Sequence, residues 1–159
     1  MKITVVYDSY FGNTEQIGRT VGNSLKSSGE VKFFRIKDVN PEQVKNTDVL
    51  IIGSPTRAFR PTKPVTDFLN RISPGSLKGV SVAAFDTRIS RDDVDSRFVR
   101  LFMKLFGYAA EPVAKKLIKK GGIQLVPPEG FYVKDTEGPL KDGESDRAVE
   151  WAGQISEKL

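Results

Sequence analysis

Short β-branched runs and helix-period segments alternate along the whole chain, and this alternation constrains the fold more than any other feature. Residues 3–7 are a continuous β-branched and aromatic run, the pattern of a strand covered on both faces. Residues 14–27 follow with Ile17, Val21 and Leu25 four apart, one apolar stripe of a helix that Gly29 can stop. Further strands are expected at 31–36, at 49–52 (closed by Gly53-Ser54-Pro55) and at 80–85, with a short helix over 65–72 between the last two. Residues 123–126 and 131–133 read as one edge strand interrupted by Pro127-Pro128-Glu129-Gly130. A final helix from about Glu144 carries Ala148, Trp151, Ala152 and Ile155 on its inner face. Strands alternating with helices predict an α/β domain: a doubly wound, five-stranded parallel sheet with helices on both sides, in three layers. At 159 residues, with no linker or internal repeat, one domain over 1–159 is expected.

One segment departs from the simple alternation. Residues 97–106, if helical, place Arg97, Arg100 and Lys104 on one face and Phe98, Leu101, Phe102 and Leu105 on the other. Three readings follow. The segment packs on the chain's own core or forms a homodimer interface, it covers the site with Phe98 or Phe102, or it lies on an anionic membrane surface. The next helix is expected from 108–112 onward, carrying Val113, Ala114, Leu117 and Ile118, with Gly121-Gly122 as its stop. Its pairs Lys115-Lys116 and Lys119-Lys120 then read as a solvated face, and nucleic-acid binding is not expected.

Two absences narrow the chemistry. The chain has no cysteine, which excludes disulfides, thiolate-held clusters and a thiol nucleophile. It has no histidine, which excludes a Ser-His-Asp triad and a histidine-based zinc site, so no metal site is expected. Redox or group-transfer chemistry must then come from a bound cofactor or from carboxylates. Met1-Lys2 runs straight into the first strand without a charged-then-apolar leader, and no apolar run approaches the ~20 residues of a spanning helix, so a cytoplasmic location is the expectation. The net charge of +5 suits an acidic partner but does not specify one.

The most informative stretch is Tyr7-Asp8-Ser9-Tyr10-Phe11-Gly12-Asn13-Thr14, between the first strand and the first helix. A helix N-terminus offers unpaired N–H groups and partial positive charge, Gly12 permits close backbone approach, and Ser9 and Thr14 supply hydroxyls: the makings of an anion site. The loop lacks the lysine of a nucleotide-triphosphatase phosphate loop and the glycine spacing of the dinucleotide fingerprint. Asp8 sits where a receiver domain has an aspartate, but the third strand ends in Gly53-Ser54, with no aspartate to phosphorylate.

The stretch Val5-Val6-Tyr7-Asp8-Ser9-Tyr10-Phe11-Gly12-Asn13-Thr14 resembles the signature of the flavodoxins and flavodoxin-like FMN proteins, and Gly53-Ser54-Pro55-Thr56 resembles their entry into the first flavin-flanking loop. The resemblance extends along the whole chain and implies the strand order 2-1-3-4-5. It also implies FMN as cofactor, with the phosphate held by Ser9, Tyr10, Phe11, Gly12, Asn13 and Thr14. The ring would lie between Pro55, Thr56, Arg57, Ala58 and Phe59 on one side and Asp86, Thr87 and Arg88 on the other. Three positions depart from the family pattern: Phe11 replaces a common threonine, Arg57 replaces the usual aromatic (leaving Phe59 as the stacking candidate), and no Tyr or Trp lies near Arg88. The implied function is electron transfer between protein partners through the flavin, with no catalytic residue of the chain's own. The alternatives are a flavin-dependent NAD(P)H or quinone reductase, and an interaction module without FMN. Arg57, Arg60, Arg88 and Arg91, in or near the two ring loops, invert the acidic surroundings usual in the family. That predicts a raised flavin potential and a redox partner acidic at its contact surface.

Overall fold

The computed structural model describes residues 1–159. Parallel strands β1 (Lys2–Tyr7), β2 (Glu30–Arg35), β3 (Val49–Pro55) and β4 (Ser81–Ile89) form one sheet in the order β2-β1-β3-β4, and two further segments complete its far edge. Those segments, β5 (Ile123–Gln124) and β6 (Glu129–Val133), both pair parallel with β4, the first at Ser81–Val82 and the second at Phe85–Ile89. They are two halves of one edge strand, split where Pro127 and Pro128 cannot donate to a ladder. The expected order 2-1-3-4-5 therefore holds.

Alternation along the strands sorts two cores. Ile3, Val5 and Tyr7 of β1, Val49 and Ile51 of β3 and Ala83 and Phe85 of β4 point to one face. There they meet Ile17 and Val21 of α1 (Asn13–Ser24), Leu25 just beyond it, and Ala148, Trp151 and Ile155 of α6 (Glu144–Ser156). Phe85, Phe131 and Trp151 meet edge to face with centroids 6.0–6.2 Å apart. The opposite face buries Val6, Leu50, Ile52, Val82 and Ala84 under Val65, Phe68 and Leu69 of α3 (Lys63–Arg71) and Val113, Ala114 and Leu117 of α5 (Ala110–Lys119). Fully burying such a side chain contributes about 1.5–3 kcal/mol, so these two clusters supply most of the driving force.

Two differences from the sequence reading have physical causes. β4 runs on past Phe85 to Ile89, through polar Asp86, Thr87 and Arg88, because β6 pairs with it there and the two charges neutralise each other. A short helix α2 (Pro41–Val44) opens the β2–β3 crossover, held by a reciprocal cap in which Asn40 Oδ1 accepts from the Gln43 amide and Gln43 Oε1 from the Asn40 amide. Residues 97–106 form helix α4 (Arg97–Phe106), with Ser96 Oγ accepting from the Val99 amide. No helix is long and apolar enough to cross a membrane.

Candidate functional site

β1 and β3 are neighbours whose crossovers leave in opposite directions, so their carboxyl ends open a crevice where ligands of such sheets bind. Four segments wall it, and hydrogen bonds tie them together. Asp8, at the end of β1, accepts from the Ser9 amide (3.0 Å) and from the Thr62 hydroxyl (2.6 Å), joining the first loop to the far end of the second. The buried hydroxyls of Thr14 and Thr87 lie 2.7 Å apart, joining α1 to β4. The Thr56 amide donates to the Thr87 carbonyl (2.9 Å), and Asn13 Nδ2 donates to the Glu137 carbonyl (3.0 Å), bringing in the loop after β6.

The result is a cleft of about 350 Å³. Ser9, Tyr10, Phe11, Asn13 and Thr14 line one end, and Pro55, Thr56, Arg57 and Ala58 one side. Thr87, Arg88 and Ile89 line the other side, with Val133 and Thr136. Eleven of the residues singled out from the sequence thus come together. Gly12 shapes the loop from beneath: its φ of 91° is left-handed, a conformation that a Cβ would strain. Ser9 Oγ accepts from the Gly12 amide (3.1 Å) and the Glu15 amide (3.3 Å), so its proton remains available to a ligand. No protein group accepts from the amides of Tyr10, Phe11, Asn13 and Thr14, all of them cleft-lining residues at the start of α1. These four donors and the positive end of the helix fit a phosphate. Glu15, in the same turn, does not oppose it: although burial would raise its carboxyl, bonds from Arg19, Tyr7 and Arg35 hold it below the usual range and compensate its charge.

Phe59 and Asp86 lie off the cleft. Arg57 and Arg60 exchange backbone hydrogen bonds of 2.9 and 3.0 Å across Ala58 and Phe59, both left-handed at φ 45° and 66°. Such a tight turn usually takes Asn-Gly, and each L-residue held there costs about 1–2 kcal/mol. It directs Ala58 to the cleft and Phe59 to the opposite groove, where its ring lies 6.3 Å from Phe102 and 6.2 Å from Phe106. Neither Phe98 nor Phe102 reaches the cleft.

Asp86 is fully buried beneath the wall and accepts two bonds from Arg88, Nε at 2.5 Å and Nη2 at 2.7 Å, and a third from the Ala110 amide at 2.8 Å. Burial pushes the Asp86 carboxyl up, while the Arg88 fork and the Ala110 amide pull against it. Burial alone would lower the Arg88 guanidinium, but the Asp86 bonds and charge raise it above its ordinary value. The guanidinium is further clamped by the Tyr108 ring, 3.8 Å from its centroid, and by Gly130, where a Cβ would collide with it. Arg88 therefore forms a cleft wall whose charge is largely cancelled. Arg57, exposed and stacked over the Tyr10 ring at 5.2 Å, has no carboxylate partner.

No sequence profile of a known protein family matches the chain. It is 29% identical over 89 residues to the flavodoxin of Clostridium saccharobutylicum and 30% identical over 86 residues to that of Megasphaera elsdenii. Those matches span 55% and 52% of this chain, and 56% and 62% of the two relatives. Among solved structures, a flavodoxin from the domain Archaea superposes over 99% of this chain and 98% of its own, with TM-score 0.76 at 23% identity. The chain has the flavodoxin-like fold. Its crevice is walled by the loop between β1 and α1 and by the segments that leave β3 and β4. The sequence reading did not include Ile89, Val133 and Thr136, which long-range pairing of β6 with β4 brings to this cleft.

Proposed function

We propose that the protein binds FMN in this cleft and carries electrons between redox proteins. The observation that carries the reading is the set of four unpartnered amides at the left-handed Gly12 turn, opening on a cleft at the switch point of a flavodoxin-like sheet. The phosphate would be held by the amides of Tyr10, Phe11, Asn13 and Thr14 and by the Ser9 hydroxyl, with Thr14 and Thr87 bracing the loop. Pro55, Thr56, Arg57 and Ala58 would flank the ring on one side and Thr87 and Arg88 on the other. Because Phe59 is engaged with α4, no aromatic of the 56–59 turn stands in the cleft, and the ring is held by aliphatic and guanidinium surfaces with Tyr10 at the end.

Bound flavin supplies the redox chemistry, and the chain supplies binding, orientation and electrostatics. Lacking histidine and cysteine, the chain brings no imidazole or thiol of its own to the chemistry. Exposed Arg57 and Arg60 on the turn beside the cleft and Arg91 near Tyr108 make its surroundings cationic, which favours a partner with an acidic contact surface. Titrating flavin-free protein with FMN, followed by quenching of flavin fluorescence, tests the reading. Saturation at one FMN per chain is expected, and no quenching at any concentration up to about 100 μM, a binding energy of only ~5.5 kcal/mol, would overturn it.

A further inference from the structure

Helix α4 touches the rest of the protein along one side only. Met103 is buried and Phe102 rests against Phe59, but Phe98, Leu101 and Leu105 stand 68%, 52% and 67% exposed. At i, i+3 and i+7 they form one outward stripe, which Phe106 (59% exposed) extends toward the next helix. A soluble surface carries single apolar side chains, not a row of this kind.

The charges on α4 itself have one sign. α4 holds Arg97, Arg100 and Lys104 and no acidic residue. Asp92, Asp93 and Asp95 lie before the Ser96 cap, off the helix, and Asp93 is paired with Lys141. Past Phe106 the surface continues into a groove of about 520 Å³ rimmed by Arg60 and Lys116, with Lys63 paired to Asp67. Arg97 and Arg100 also sit in the first turn of α4, where the helix dipole favours anions, so an external negative surface would relieve an unfavourable arrangement.

Two occupants fit poorly. A second copy of this chain would oppose three cations with three cations and no carboxylate on either helix. A protein partner would have to match Phe98, Leu101 and Leu105 with a shaped apolar pocket and the three cations with placed carboxylates. A lipid surface demands only apolar depth and a cationic border. We propose that α4 is a peripheral anchor for an anionic bilayer. Phe98, Leu101 and Leu105 enter the boundary between headgroups and acyl chains, and Arg97 and Lys104, with Lys116 on the groove rim, engage lipid phosphates. This anchoring is independent of what the cleft binds.

The test is flotation of the purified protein with vesicles of phosphatidylcholine mixed with phosphatidylserine, and with phosphatidylcholine alone. Binding to the anionic vesicles, weakening as salt rises, is expected, with little or none to the neutral ones. Each cation near such a surface strengthens binding about fivefold, so Arg97→Gln with Lys104→Gln should weaken it roughly 25-fold. Phe98→Ser with Leu105→Ser should weaken it more than about tenfold; both pairs are exposed, and unchanged circular dichroism would show the fold intact. No flotation with anionic vesicles, or binding that either double variant leaves unchanged, overturns the proposal. Sedimentation showing a dimer that Phe98→Ser with Leu105→Ser abolishes, without vesicle binding, overturns it in favour of a second copy.

Discussion

Replacing Arg88 by methionine should be among the most damaging single changes near the cleft. The carboxylate it leaves behind, Asp86, has no exposure to water, and two of its three hydrogen bonds come from Arg88. Only the Ala110 amide, at 2.8 Å, would remain. Removing one partner of a buried ion pair costs about 3–5 kcal/mol, because the surviving charge is neither solvated nor paired. That is a large part of the ~5–15 kcal/mol by which a domain is usually stable. Burial already pushes the Asp86 carboxyl upward, and without Arg88 the main opposing influence is gone, so the folded-state pKa must climb further. A carboxyl whose folded pKa lies above its unfolded value (~3.9) carries no penalty below that value and a growing one as pH rises from there to the folded pKa. The Arg88→Met deficit should therefore be larger at pH 7 than near pH 5. Adding Asp86→Asn, which removes the charge but keeps an acceptor for Ala110, should recover most of it. Urea unfolding of the parent, Arg88→Met and the double variant at the two pH values measures all three effects. A deficit below about 1 kcal/mol at pH 7, or one that does not shrink on acidification, would refute the assignment of Asp86–Arg88 as a pair in which each charge needs the other.

Two further outcomes are expected. Gly53 lies within β3 beside Phe85, and a Cβ there would run into the Phe85 ring, so Gly53→Ala should lower stability by about 1–3 kcal/mol, read as a lower urea midpoint; a parent-like midpoint would mean that the ring swings aside freely. With the Arg88 charge cancelled by Asp86, the cation left uncompensated in the cleft is Arg57, and Arg57→Gln should lower the midpoint potential of the flavin-loaded protein by roughly 20–40 mV, less at high salt. Spectroelectrochemical titration of parent and variant checks this, and equal potentials would exclude Arg57 as a source of tuning.

The parts of this architecture legible in the sequence are those encoded locally. The 3–7 run is apolar on both faces, so it had to be a central strand, and Gly12 before a helical stripe marks an N-terminus with free donors. The missing wall, Ile89 with Val133 and Thr136, depends on Ile89 pairing with Val133 across forty-four residues, and no local pattern specifies that register. The Asp86–Arg88 pair did carry a signal, since residues two apart on a strand share a face and opposite charges there can neutralise each other. Reading Arg88 as a free cation overlooked it. Phe59 was assigned to the ring because it is the aromatic nearest Thr56, but the backbone sends it to α4 through a turn whose usual residues, Asn-Gly, are not the Ala-Phe found here. In α4 the periodicity showed an amphipathic helix, yet amphipathicity fixes which face is apolar and not what covers it.

The central claim is that the cleft recognises FMN through its phosphate, at the amides that open α1. Comparing the dissociation constants of FMN and riboflavin for the same flavin-free protein tests it most directly, because the two ligands share ring and ribityl chain and differ only in that group. Charge-assisted bonds from several amides and Ser9, at about 1.5–3 kcal/mol each when fully formed, predict a preference for FMN of a hundredfold or more. Inorganic phosphate should compete with FMN and leave riboflavin binding unaffected. Equal affinity for the two flavins would contradict the account.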